Sequence, residues 1–257
     1  MSILIHHSAR TVLWLTFFAA IIVSWWMMYA MATQMGLNWY GAQVGMMDMA
    51  GMPSMSNLAM LVPMWAIMMI AMMGPTFVNT MITYEALMRS ANGTWGGLIG
   101  LVVGYFIVWI SFGVLIALMQ EGLMRIGWLD MFGQSTQLSA TATLLVLVGW
   151  FQFTWIKQVC HGVCHAPMQY FLGNWRAGTW GGSRMGLGLG IYCVVCCWGY
   201  MALGFVGGSM NLLWMGLATV LMVFEKLPQV AYYIMRPVGV VLIAAGLAVA
   251  GRAVGVW

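Results

Sequence analysis

The run TVLWLTFFAAIIVSWWMMYAM, residues 11–31, carries no charged side chain, and runs of this kind recur along the whole chain. They fall again at roughly 61–83, 96–119, 138–156, 185–206, 209–224 and 237–254. About 20 consecutive apolar residues are enough to cross a bilayer as a helix. Inside lipid each backbone polar group must find its partner within the protein, and a helix does this within one segment. The expected fold is therefore all-α: a polytopic integral membrane helix bundle with six to seven transmembrane helices. The number has a range because the sixth run is short. Only GGSMN, residues 207–211, separates it from the fifth, so a re-entrant pair is an alternative there.

Composition closes off the soluble classes. Charged residues make up 5% of the chain and hydrophobic ones 63%, whereas a soluble domain carries about 25% charged residues. The lipid bilayer is thus the first expected partner, and residues 1–257 read as a single transmembrane domain. A net charge of +4 with no basic tract excludes a nucleic-acid partner. The first apolar run is longer than the 7–15 residues of a signal-peptide core. It reads as a retained first helix.

Orientation follows from the basic residues. With the N-terminus in the cytoplasm, the inner segments hold Arg10, Arg89, Lys157, Arg176, Arg184, Lys226 and Arg236, and the outer ones Arg125 and Arg252. That bias orients the chain as a multi-pass membrane protein with its N-terminus on the cytoplasmic side. It puts a methionine-rich loop, about 44–60, on the outer side and a Cys/His-containing loop, about 157–184, on the cytoplasmic side. In GGLIGLVVGYF, Gly96, Gly100 and Gly104 recur at four-residue steps, a small-residue seam for a neighbouring helix. Packing within the chain is the expected use. Glu85 and Glu225 end apolar runs, where an acid can reach an interface, and Glu225 stands next to Lys226 as a candidate local pair.

Sulfur is the other unusual feature. The chain has 28 methionines. Met46, Met47, Met49 and Met52 lie in the outer loop, followed by Met55 and Met60. Thioether sulfur is soft and uncharged and forms no disulfide, so it suits Cu(I) in an oxidising compartment. Met60, Met64, Met68 and Met72 step by four along the second helix, with Met69 and Met73 beside them. Methionine also fills irregular gaps in apolar cores, and both readings stand for that stripe.

All five cysteines fall in two clusters. Cys160 and Cys164, in CHGVCH, are four apart and share a helix face. Cys193, Cys196 and Cys197 share an arc of the fifth helix. On the charge count both clusters belong to the cytoplasmic half of the membrane, where thiols stay reduced. Reduced cysteines at this spacing can hold Cu(I) or Zn(II) as thiolates. His161 and His165, read as loop residues, can add nitrogen ligands. No Ser/His/Asp set, phosphate loop or haem constellation is visible, so the chain reads as non-catalytic.

The block from FQFTWIKQVCHGVCHAP through YCVVCCW and GGSMNLLWM to EKLP, residues 151–228, resembles the DUF2182 family of bacterial predicted metal-binding integral membrane proteins. PMWAIMMIAMMGP resembles that family's second helix. The resemblance implies a multi-helix membrane fold and a metal role for Cys160, Cys164, Cys193, Cys196 and Cys197. It departs at MGLGLG, where Leu189 stands at the position of a family histidine. Either His161 or His165 substitutes for it, or the site is degenerate. The combined expectation is a soft-metal accessory protein, with Cu(I) the favoured ion and zinc the alternative. It would act as a metal-handling factor, or as a stable subunit beside other membrane subunits of a metalloenzyme such as a copper membrane monooxygenase or oxidase. Two competing readings are a structural packing subunit and a thiol oxidoreductase working between Cys160/Cys164 and Cys193/Cys197.

Overall fold

The computed structural model describes residues 2–43, 57–227 and 230–255. Among these residues the chain is helical, with only isolated bridges at Leu37–Gln43 and Leu129–Ser135. The elements in order are α1 (Ser2–Gln34), α2 (Leu58–Met88), α3 (Trp95–Arg125), α4 (Leu138–Phe151), α5 (Trp155–His165), α6 (Pro167–Asn174), α7 (Gly178–Ala202), α8 (Gly204–Gly207), α9 (Leu212–Glu225) and α10 (Ala231–Ala253).

Five helical stretches are long and apolar enough to cross a membrane: 10–34, 58–88, 95–125, 178–207 and 233–253. The helices α4 and α5 make a sixth span if taken together, bent by 64° at residues 152–154. The sixth expected run, 209–224, is α9, which has 14 residues. At 1.5 Å per residue it is about 21 Å long, short of a hydrocarbon core of roughly 30 Å. Both ends of α9 therefore bring polar caps toward membrane depth. That brevity sets up the site described below.

Local chemistry explains the boundaries. Asn57, Thr94, Thr154 and Asn211 each cap a helix start by accepting a backbone N–H. Pro75 lies inside α2, so the carbonyl of Ala71, four residues earlier, loses its helical donor. The indole of Trp25 on α1 donates to that carbonyl at 3.1 Å. One proline thus fixes where α1 packs on α2.

The tightest helix pair is α3 with α7, and glycine makes it possible. A Cβ on Gly100 would lie 2.2 Å from the Thr179 carbonyl oxygen, and one on Gly104 2.2 Å from that of Ser183. From the facing side, a Cβ on Gly182 would meet the Gly97 carbonyl at 1.9 Å. The expected glycine seam is used within the chain. A second seam joins α4 to α10 through Gly149, Gly239 and Gly246, whose added Cβ atoms would meet facing backbone at 2.9–3.0 Å.

One expectation changes. Lys157 and Lys226 are 1% and 6% exposed and lie in the core, so neither marks a cytoplasmic loop. The remaining basic residues of the expected inner segments, Arg10, Arg89, Arg176, Arg184 and Arg236, still outnumber Arg125 and Arg252 of the expected outer ones. Glu85, near the end of α2, pairs with Arg10 and accepts the Trp14 indole at 3.3 Å.

Candidate metal centre

Cys193, Cys196 and Cys197 come from one arc of α7, as three- and four-residue steps on a helix require. Cys193 lies fifteen residues beyond Gly178, the first residue of α7, or about 22 Å along it. The thiols therefore sit deep in the span and not at its Gly178 end. The bend between α4 and α5 swings α5 against α7 and brings Cys164 to the same place. Thr154 makes that turn by capping α5 on the Lys157 N–H.

The result is a group of three buried thiols, Cys164, Cys193 and Cys196, whose sulfurs all lie within 4.8 Å of one another. The Cys164 and Cys196 sulfurs are 3.8 Å apart. Cys197 adjoins through a 3.2 Å contact with Cys196. All five cysteines are free and buried. The donor set is all sulfur, which fits a soft ion and leaves no oxygen cage for a hard one.

Cys193 has two polar neighbours that the sequence reading did not include. The Lys226 ammonium donates to its sulfur at 3.0 Å, and the Tyr105 hydroxyl lies 3.1 Å away. Lys226 also donates to Thr76 Oγ1 at 3.0 Å and lies over the Tyr105 ring. The Thr76 hydroxyl in turn donates to the Met73 carbonyl at 2.8 Å, with the Met73 sulfur 3.9 Å off. This is where the methionine stripe of α2 touches the site. Met64, Met68, Met69 and Met72 are buried in the core.

A second polar cluster abuts the thiols. Lys157 bridges the Glu225 carboxylate at 2.9 Å and the Cys196 carbonyl at 2.8 Å. The Tyr200 hydroxyl donates to the other Glu225 oxygen at 2.5 Å. The expected Glu225–Lys226 pair is absent, because adjacent helix residues point in different directions. A lysine within an apolar stretch was the available signal, since a buried charge requires a partner.

The other expected ligands go elsewhere. His161 lies on helix α5, not on a loop, and its Nε2–H donates to the Glu225 carbonyl at 2.6 Å. His165 stacks on His161 at 5.6 Å between ring centroids. Cys160 is buried one turn before Cys164. Leu189 is buried one turn before Cys193 on α7. Met46, Met47, Met49 and Met52 lie outside the described residues.

One comparison bears on this centre. The family model of PpoB2, described as a copper chaperone, matches residues 62–249. The chain belongs to this family. The matched region contains α3 to α9 entire, every cysteine, and both buried lysines. Membership in a copper chaperone family agrees with a copper-related, non-catalytic accessory role, and with the metal-binding membrane family the sequence resembles. No curated protein and no solved structure matches the chain.

Proposed function

We propose that this chain carries Cu(I) inside the membrane, on Cys164, Cys193 and Cys196, and passes it to a membrane-bound copper enzyme. The observation that carries the reading is the meeting of three thiols from two separate helices within 4.8 Å. Thiolate sulfur suits soft and borderline ions, Cu(I) and Zn(II) among them. The printed family description, a copper chaperone, supports the same cargo. The ion is cargo, so the chain needs no catalytic group of its own. Its place is the bacterial inner membrane, where it works as a metal-handling factor or as a lasting subunit of the enzyme it supplies. The methionine-rich segment, about 44–60, is the proposed capture end on the outer side.

The test is anaerobic titration of the reduced, detergent-purified protein with Cu(I) against a chromophoric chelator. One ion per chain is expected. Cys193→Ser combined with Cys196→Ser should abolish binding, and Cys160→Ser should leave it intact. Stoichiometric copper in the double variant would overturn the assignment.

One observation favours a second reading, thiol–disulfide exchange. The Cys164 and Cys196 sulfurs, 3.8 Å apart, could close to the about 2.05 Å of a disulfide by giving two electrons and two protons to a partner disulfide that is reduced in exchange. A Cys164–Cys196 disulfide recovered from native membranes would select that reading over the first.

A further inference from the structure

Lys226 is placed at the thiol centre by the length of α9. It is the C-cap of that 14-residue helix, so its chain starts at the negative end of the helix dipole, which favours a cation. Three contacts hold the ammonium: the Cys193 sulfur at 3.0 Å, Thr76 Oγ1 at 3.0 Å, and the face of the Tyr105 ring. The carboxylate beside it in sequence, Glu225, is already bonded to Lys157 and Tyr200. Of the two buried ammonium groups beside the thiols, Lys157 is paired with Glu225, and Lys226 has no carboxylate partner among the described residues.

Such a charge acts differently on different ions. Its repulsion of an incoming cation is proportional to that cation's charge. A divalent ion on these sulfurs feels twice the repulsion that a monovalent ion feels.

We infer that Lys226 is a specificity-determining residue of the three-thiol centre, selecting a monovalent soft ion over a divalent one. The inference rests on the reading that these thiols bind metal. It concerns which ion they accept.

The experiment equilibrates the reduced full-length protein in detergent with mixtures of Ag(I) and Cd(II), and reads bound metal by mass spectrometry. Wild type should hold Ag(I) in preference to Cd(II). Lys226→Met keeps the length and removes the charge, and should shift the Ag(I)/Cd(II) ratio toward Cd(II) by about tenfold or more. Lys226→Arg keeps the charge and should keep the wild-type ratio. An unchanged ratio in Lys226→Met, with Ag(I) still bound, overturns the inference and leaves the metal centre standing. Wild type that binds neither ion overturns both. Should Lys226→Met not fold, wild type that holds Cd(II) as tightly as Ag(I) overturns the inference without any variant.

Discussion

Glu225 and Lys226 are neighbours in the chain and serve opposite partners. The Glu225 carboxylate meets the ammonium of Lys157 from α5 at 2.9 Å, while Lys226 turns to the Cys193 sulfur of α7 at 3.0 Å. The end of α9 thereby ties α5 and α7 together, and these are the two helices that supply the thiols. The centre is assembled by a charge pair on one side and by an ammonium–sulfur contact on the other.

The charge pair should matter most when only half of it is removed. Lys157 and Glu225 are both almost fully buried, with side chains 1% and 2% exposed. Removing one partner of a buried pair leaves the other uncompensated and costs about 3–5 kcal/mol. Glu225→Gln should therefore lower thermal stability in detergent sharply, and Lys157→Met with Glu225→Gln should recover part of the loss. A loss in the double variant equal to the sum of the losses in Glu225→Gln and Lys157→Met alone would show that the pair is not coupled.

The α3–α7 seam makes a second prediction, about helix approach. A Cβ at Gly182 would fall 1.9 Å from the Gly97 carbonyl oxygen, an atom of the backbone that cannot swing aside. Gly182→Ala must push the helices apart, and overpacking of this kind costs about 1–3 kcal/mol. Gly122→Ala is the control, because nothing lies within 4 Å of its added Cβ. In a helix interior that change should be neutral or stabilising by up to about 1 kcal/mol. Melting curves of the two variants should move in opposite directions or by clearly different amounts.

Much of this was legible because it is written locally. Span-length apolar runs and four-residue glycine steps are properties of one segment, so α2, α3 and α7 could be expected from their own sequences. The same holds for Cys193, Cys196 and Cys197, which share a helix arc. Cys164 joins them only because Gln152–Thr154 breaks α4 from α5 by 64°, and no periodicity announces that angle. Lys157 and Glu225 are 68 positions apart. What the sequence did contain was a physical demand: two lysines in apolar surroundings need anions or soft acceptors. The histidines are a different case. Their spacing suits ligands, but His161 is used on the Glu225 carbonyl.

Leu189 offers a test of the centre by addition. It is buried on α7, four residues before Cys193, so the two Cβ atoms are helix neighbours about 5–6 Å apart. A donor atom placed there projects into the neighbourhood of the thiols. Leu189→Met nearly conserves volume, and such swaps usually cost under about 1.5 kcal/mol. It adds a thioether, which is a soft ligand. Leu189→His adds an imidazole at a higher packing cost. Both variants should hold Cu(I) more tightly against a competing chelator, by about threefold to tenfold, a gain of roughly 1 kcal/mol that one additional ligand can supply. The additional ligand should also slow release of the ion to the chelator. Folded Leu189→Met and Leu189→His proteins with wild-type affinity would place the bound ion on a different face of α7, and the three-thiol assignment would fail with them.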